Sequence, residues 1–339
     1  MRTVVSVFRR TIVEGRFIAL ITALWIIGMR ALLFYVAAVP ANDFTDHNFL
    51  WRLIAPLFAD PMISFMASTL SVFLIAWIIS SMNSKFALIR SRSALPFIVP
   101  LFLFSLHPRF LVMDGDFISV IFILLAFLPL LSSYQKPESY LYSFRAGILL
   151  AVASLFQIYT LALLPLWWRG ERSMRGYQFR SFINSLFGVL LIYVSLFTLY
   201  FLTDDIAGFL QPFQVFAHIS LPAVPLFTVT QWGTVVLVFL FFLSNMYFSI
   251  RTYNRDKVLT LSLMQFVVFL IVILMLLQVL YWNRTLFFFT LCIALISYLN
   301  AYFYTRTVSN ANVILGCISS LLMLLYYCAQ LFPHLLPDQ

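Results

Sequence analysis

Residues 145–168 read RAGILLAVASLFQIYTLALLPLWW. By length alone this is one membrane span, since about 20 apolar residues rising about 1.5 Å each cross about 30 Å of hydrocarbon. The next stretch, 169–180, argues against a single crossing because it carries Arg169, Arg172, Arg175 and Arg180. One crossing would put these four arginines on the outer side, against the tendency of short basic loops to stay inside. Two short helices folding back near Gln157 return them to the inner side, and every later loop then falls into place. The reading of this one stretch sets the topology of everything after it.

The rest of the chain names the same solvent. The 339 residues are 63% hydrophobic and 10% charged, with a mean hydropathy of +0.99; a water-soluble domain is about 45–50% apolar and about 25% charged. With 38 phenylalanines against 10 glycines, Gly-rich phosphate loops and dinucleotide fingerprints are excluded. Clear apolar runs cover 17–40, 62–82, 181–201, 230–250, 258–281, 285–303 and 312–332. A further hairpin, helices near 94–106 and 117–133, is interrupted by His107-Pro108-Arg109 and Asp114-Gly115-Asp116. With the fold-back, the expectation is an all-α polytopic bundle of about eleven membrane helices, N-terminus inside and C-terminus outside. It forms one integral membrane domain over 1–339 with four C-terminal spans in 230–332, in a bacterial inner membrane.

Sorted by side, 17 of the 21 basic residues but only Glu14, Glu138, Glu171 and Asp256 of the acids fall inside. Outside lie Arg52, Arg109 and Arg284 with the other eight acids, and Arg30 sits within the first span. The basic balance therefore describes contact with anionic membrane lipid and not nucleic-acid binding. His47, His107, His218 and His334 all fall outside. Cys292, Cys317 and Cys328 lie in apolar runs without metal or disulfide spacing and read as buried small hydrophobes. The run from Phe17 is too long for the core of a cleaved signal and lacks a small-residue exit. Segment 206–229 is an outer connection whose first part, IAGFLQPFQVFAHI (206–219), is expected to lie flat in the interface. Trp167, Trp168 and Trp282 read as interfacial belt residues.

Three groups carry the available chemistry. Asp43, Asp46 and His47 crowd the first outer loop; one aspartate can act as general base on an acceptor hydroxyl, or the pair can hold a divalent cation. No resident cofactor is expected. The bland reading is a solvated loop whose aspartate caps the next helix. His107, Arg109, Asp114 and Asp116 occupy the tip of the 94–133 hairpin, where capping by Asp116 is the structural alternative to phosphate or metal work. Arg30, Arg52, Arg109 and Arg284 break the charge rule; a guanidinium fork suits a lipid phosphate, whereas ion pairing or snorkelling is the bland reading. Arg30 stands 13 residues into its run, where a charge is expensive unless partnered. Asp204-Asp205 mark a membrane exit.

Over 15–205 this organisation resembles the GT-C type of membrane glycosyltransferases. The resemblance rests on the acidic first outer loop, on MDGDFISVIFILLAF (113–127) and on GILLAVASLFQIYTLALLPLWWRG (147–170). It departs from that pattern at Gln157, where a lysine often stands, in its Asp-x-x-Asp loop, and in having no extramembrane domain after the bundle. Residues 144–205 look even more like an uncharacterised multi-pass membrane protein family of Bacteroidota. The resemblance implies envelope glycan or glycolipid assembly, with sugar transferred from a polyprenyl-phosphate carrier at the outer face. Asp43 or Asp46 would be the base, with Arg30, Arg52, Arg109, Arg284, Asp116 and His107 around the phosphate. The alternative is a non-catalytic lipid-carrier translocator or assembly partner on the same scaffold. A transporter is the weaker third reading, because no repeat is visible.

Overall fold

The computed structural model describes residues 4–15, 17–36, 48–89, 93–136, 140–176, 178–220, 257–282, 285–306 and 309–331. In chain order these form α1 (Val4–Phe8), α2 (Ile18–Val36), α3 (Trp51–Ile54), α4 (Pro61–Phe86), α5 (Leu95–Leu103), α6 (Gly115–Ser132) and α7 (Leu141–Phe156). There follow α8 (Leu164–Arg175), α9 (Phe179–Leu202), α10 (Ile206–Leu210), α11 (Val258–Leu280), α12 (Phe287–Arg306) and α13 (Asn310–Leu331). Among the described residues there is no β-strand, only an isolated bridge between Ser220 and Tyr281. Seven of these helices, α2, α4, α6, α9, α11, α12 and α13, are long and apolar enough to cross a membrane. The chain is a multi-pass helical integral membrane protein. The expected span 230–250 lies outside the described residues, as do Asp43, Asp46, His47, Arg284 and His334.

The fold-back at 145–168 is present. Helix α7 stops at Gln157, whose backbone is extended (φ −147°, ψ 103°), and a 3-10 turn over Ile158–Leu163 leads into α8. Pro165 stands in the first turn of α8; its ring would clash with the Leu161 carbonyl in a continuous α-helix, so the tighter turn takes that place. The two arms close again at their far ends: Ser143 of α7 donates to Glu171 Oε2 (2.9 Å), and Arg175 Nη2 reaches the same oxygen at 3.1 Å and also Ser143. Helices α7 and α9 cross in close contact, because a Cβ at Gly147 would collide with the Ser185 carbonyl.

Contacts at the helix ends define two opposite ends of the bundle. At one, Ser93 meets Thr305, Thr260 donates to the Leu88 carbonyl, and Lys85, Lys136, Arg145, Arg172 and Arg180 are exposed. At the other, Gln157 approaches Thr285, and Ser220 pairs with Leu280 and Trp282. These are called the basic end and the Gln157 end below. Helix α12 is the hub: its buried residues include Phe287, Leu291, Tyr298 and Tyr302. Helices α2, α9 and α13 turn most of their apolar surface outward, as expected of a lipid-facing ring.

Several expectations are corrected. The helix expected over 94–106 ends at Leu103, with Pro96 and Pro100 inside it, and the chain continues through a short 3-10 turn over Pro108–Leu111. Within the segment 206–219 a short apolar helix covers Ile206–Ala217, changing from α10 to a 3-10 stretch at Gln211, next to Pro212. Trp167 is not a belt residue; it is fully buried, edge-on to Phe127 and Phe266. Cys292 is buried, but Cys317 and Cys328 are exposed on α13.

Candidate functional site

Arg30 is the clearest case of a side chain whose task only its surroundings reveal. It sits on α2 six residues before Val36, about 9 Å from the helix end at about 1.5 Å per residue, and is fully buried. Its Nε donates to Thr69 Oγ1 (3.0 Å), Nη1 to the Phe104 carbonyl (3.0 Å), and Nη2 to Ser68 Oγ (3.0 Å) and the Phe110 carbonyl (2.9 Å). Both carbonyls belong to the connection between α5 and α6, Phe104 at the end of α5 and Phe110 in the 3-10 turn. Helix breaks inside a membrane bundle are tolerated only where the freed backbone groups find partners, and the guanidinium supplies them. Ser68 adds a bond to the Leu111 carbonyl (2.7 Å), and Ser64 accepts from Met113 N (2.8 Å). Arg30 therefore neither snorkels nor pairs with a carboxylate among the described residues. In this arrangement all three of its nitrogens donate to protein groups. The stripe Ser64, Ser68, Ser71 along apolar α4 is the sequence signal that would have located its partners.

The same connection carries His107, Arg109 and Asp114. Asp114 precedes α6 without a side-chain cap bond and instead faces Arg109 at 3.5 Å, both partly exposed; such a pair contributes at most about 1 kcal/mol. His107 Nδ1 accepts from Arg109 N (3.1 Å) and its ring stacks on Tyr326 of α13. Burial first, then the charge of Arg109, lower the imidazole to about 4. A folded value below the usual 6.5 means that His107 contributes stability fully above about pH 6.5 and loses it as pH falls through about 4. Thermal unfolding followed against pH is expected to show this loss in the wild type and less of it in His107→Asn.

Asp116 does not cap α6. It lies in the first turn, buried, and accepts from Gln157 Nε2 at 2.6 Å. Gln157 also approaches Thr285 Oγ1 (3.5 Å), whose carbonyl accepts from Gln278 Nε2 (2.8 Å). Asn48, the first described residue after α2, accepts from Ile158 N through Oδ1 (3.0 Å), and Leu50 N donates to the Leu155 carbonyl (2.8 Å). Gly115 lets these pieces close: a Cβ there would stand 2.8 Å from the Phe156 carbonyl and 3.1 Å from the Trp51 ring. Asn48 and Leu50, the start of α6 and the fold-back tip thus meet at one point. Gln157, Asn48, Thr285 and Gln278 are not among the sequence's site residues; the available signal is a lone glutamine within an apolar run at 157 and an asparagine closing the polar stretch 42–48.

The remaining described candidates lie at the surface. Arg52 is exposed on α3, and Asp204 and Asp205 are exposed, the latter capping α10 through Gly208 N (2.9 Å). Among the described residues no three His, Cys, Asp or Glu side chains gather as metal ligands would. The fold and this polar cluster define a helical multi-pass membrane protein with a buried carboxylate–amide site at one end. Comparison of the chain with family models, curated proteins and solved structures returns no match.

Proposed function

We propose that the chain is an inner-membrane protein of envelope glycan or glycolipid assembly that transfers a sugar from a polyprenyl-phosphate carrier at the Gln157 end, taken as the outer face. The observation that supports this reading is the meeting of the three segments on which the GT-C resemblance rests, at Asn48, Asp116 and Gln157. Asp43 and Asp46 stand five and two residues before Asn48 in the chain, and one of them is assigned as the base that takes the acceptor proton. The phosphate is assigned to Arg52, Arg109 and Arg284, with Arg30 shaping the Arg109 connection from below. Transfer from a panel of polyprenyl-phosphate sugars in reconstituted vesicles is expected to fall at least about 100-fold in Asp43→Asn with Asp46→Asn, the scale of general-base loss. Undiminished transfer by that variant overturns the reading.

A second reading, a non-catalytic carrier translocator or assembly partner, draws on one observation. Arg30, Asp114, Asp116 and Arg109 are all engaged with protein groups in this conformation. Carrier flipping without transfer in the same vesicles would favour it.

A further inference from the structure

The N-terminal segment takes no part in the transfer reading, yet it closes one end of the hub helix. Helix α1 (Val4–Phe8) runs on as a π-helical turn over Arg9–Val13. Arg9, Arg10 and Thr11 are exposed, whereas Phe8 and Ile12 are half-buried and Val13 is buried. Val13 forms a small apolar cluster with Leu95 of α5 and Ala301 of α12, against which Phe8, Ile12 and Tyr304 pack. Two bonds tie the segment to the basic end: Ala94 N donates to the Val13 carbonyl (3.1 Å), and Val5 N donates to Asn310 Oδ1 (3.4 Å) at an exposed position. A Cβ at Gly15 would collide with the Thr11 carbonyl, so only glycine fits where the segment leads into α2.

What lies behind this contact is polar. Ser297, Asn300 and Tyr304 recur at i, i+3 and i+7 and so share one side of α12. Tyr304 borders the N-terminal segment and rests on Gly316 of α13, where a Cβ would stand 2.5 Å from its ring. Asn300 lies one turn farther in, about 9 Å from the end of α12 at about 1.5 Å per residue. It is fully buried, and neither its NH2 group nor its carbonyl oxygen has a hydrogen-bond partner among the described residues. The neighbouring Ser297 hydroxyl donates to the Ala294 carbonyl of its own helix (2.7 Å). A dry, unpaired carboxamide disfavours the conformation that contains it. A local opening that admits water past Tyr304 removes that cost, and what stands in its way at the basic end is the small apolar contact of Val13.

We propose that the segment 4–14 is a displaceable plug: docked, it keeps water from the side of α12 that carries Ser297, Asn300 and Tyr304, and released, it opens that side to water from the basic end. The assignment is independent of sugar transfer. The test is the rate at which a charged, membrane-impermeant maleimide labels Asn300→Cys in the full chain in nanodiscs, with Cys292→Ala, Cys317→Ser and Cys328→Ser removing the native thiols. Labelling is expected to be slow while the segment is docked and several-fold faster when Val13→Asp undocks it. The control is Leu299→Cys. Leu299 is fully buried on another side of α12, two turns after Cys292, whose thiol meets the Ile271 carbonyl of α11 at 3.9 Å. Its labelling is expected to stay slow in both backgrounds. Equal rates for Asn300→Cys with and without Val13→Asp overturn the proposal. So does an equal gain at Leu299→Cys, since the bundle would then have loosened as a whole. If Val13→Asp yields no folded protein, Phe8→Asp with Ile12→Asp, at half-buried positions, decides by the same criterion.

Discussion

Arg30→Ala is expected to strip the protein of most of its folded yield in detergent, because Arg30 holds the connection between α5 and α6. The substitution removes the donors to the Phe104 and Phe110 carbonyls and to the Ser68 and Thr69 hydroxyls. A buried acceptor left without a donor costs about 1–3 kcal/mol, so the two carbonyls alone lose about 2–6 kcal/mol. That is a large share of the about 5–15 kcal/mol by which a domain is stable. Arg30→Gln, with one amide donor group in place of the fork, is expected to recover part of the loss. Size-exclusion profiles after graded heating measure both, and an Arg30→Ala protein that melts with the wild type sinks the assignment.

Arg175→Ala is expected to be of similar severity at the opposite end. Arg175 and Glu171 are 1% and 7% exposed at their side chains, and removing one partner of a buried pair costs about 3–5 kcal/mol because the other charge stays behind. Replacing both, as Glu171→Leu with Arg175→Met, is expected to return the melting temperature to near or above that of the wild type, since buried pairs seldom outdo apolar packing. A double variant no better than Arg175→Ala would place the importance of the pair in its geometry and not in charge compensation. The same pair closes the α7–α8 fold-back, so the severe single variant is also expected to expose 141–176 to proteolysis.

How far these features were readable before the structure varies with the kind of interaction. The fold-back of 145–168 was legible because the arginines of 169–180 interact with the bilayer as a whole, and that interaction depends only on side. Arg30 was legible as an anomaly, since one cation in an apolar run stands out. Its partners were not, because two are backbone carbonyls, and every residue of the chain presents the same carbonyl. Asp116 stands out in the sequence as a carboxylate at a helix start, with capping and phosphate work as its two readings. The cap position is settled by the backbone angles at Asp114, and the true partner, Gln157, is 41 residues away. Trp167 was misread as a belt residue because its depth depends on how α8 packs against Phe127 and Phe266.

The sequence by itself determined the solvent, the helical class and the side on which basic residues gather, because hydrophobic transfer and charge placement are sums over residues and need no contact map. Only the tertiary structure decided which polar groups are consumed and which remain free. Hydrogen bonding and ion pairing act over about 3 Å, and at that range Arg30, Glu171 and Asp116 are defined by residues far along the chain that the fold alone brings to them.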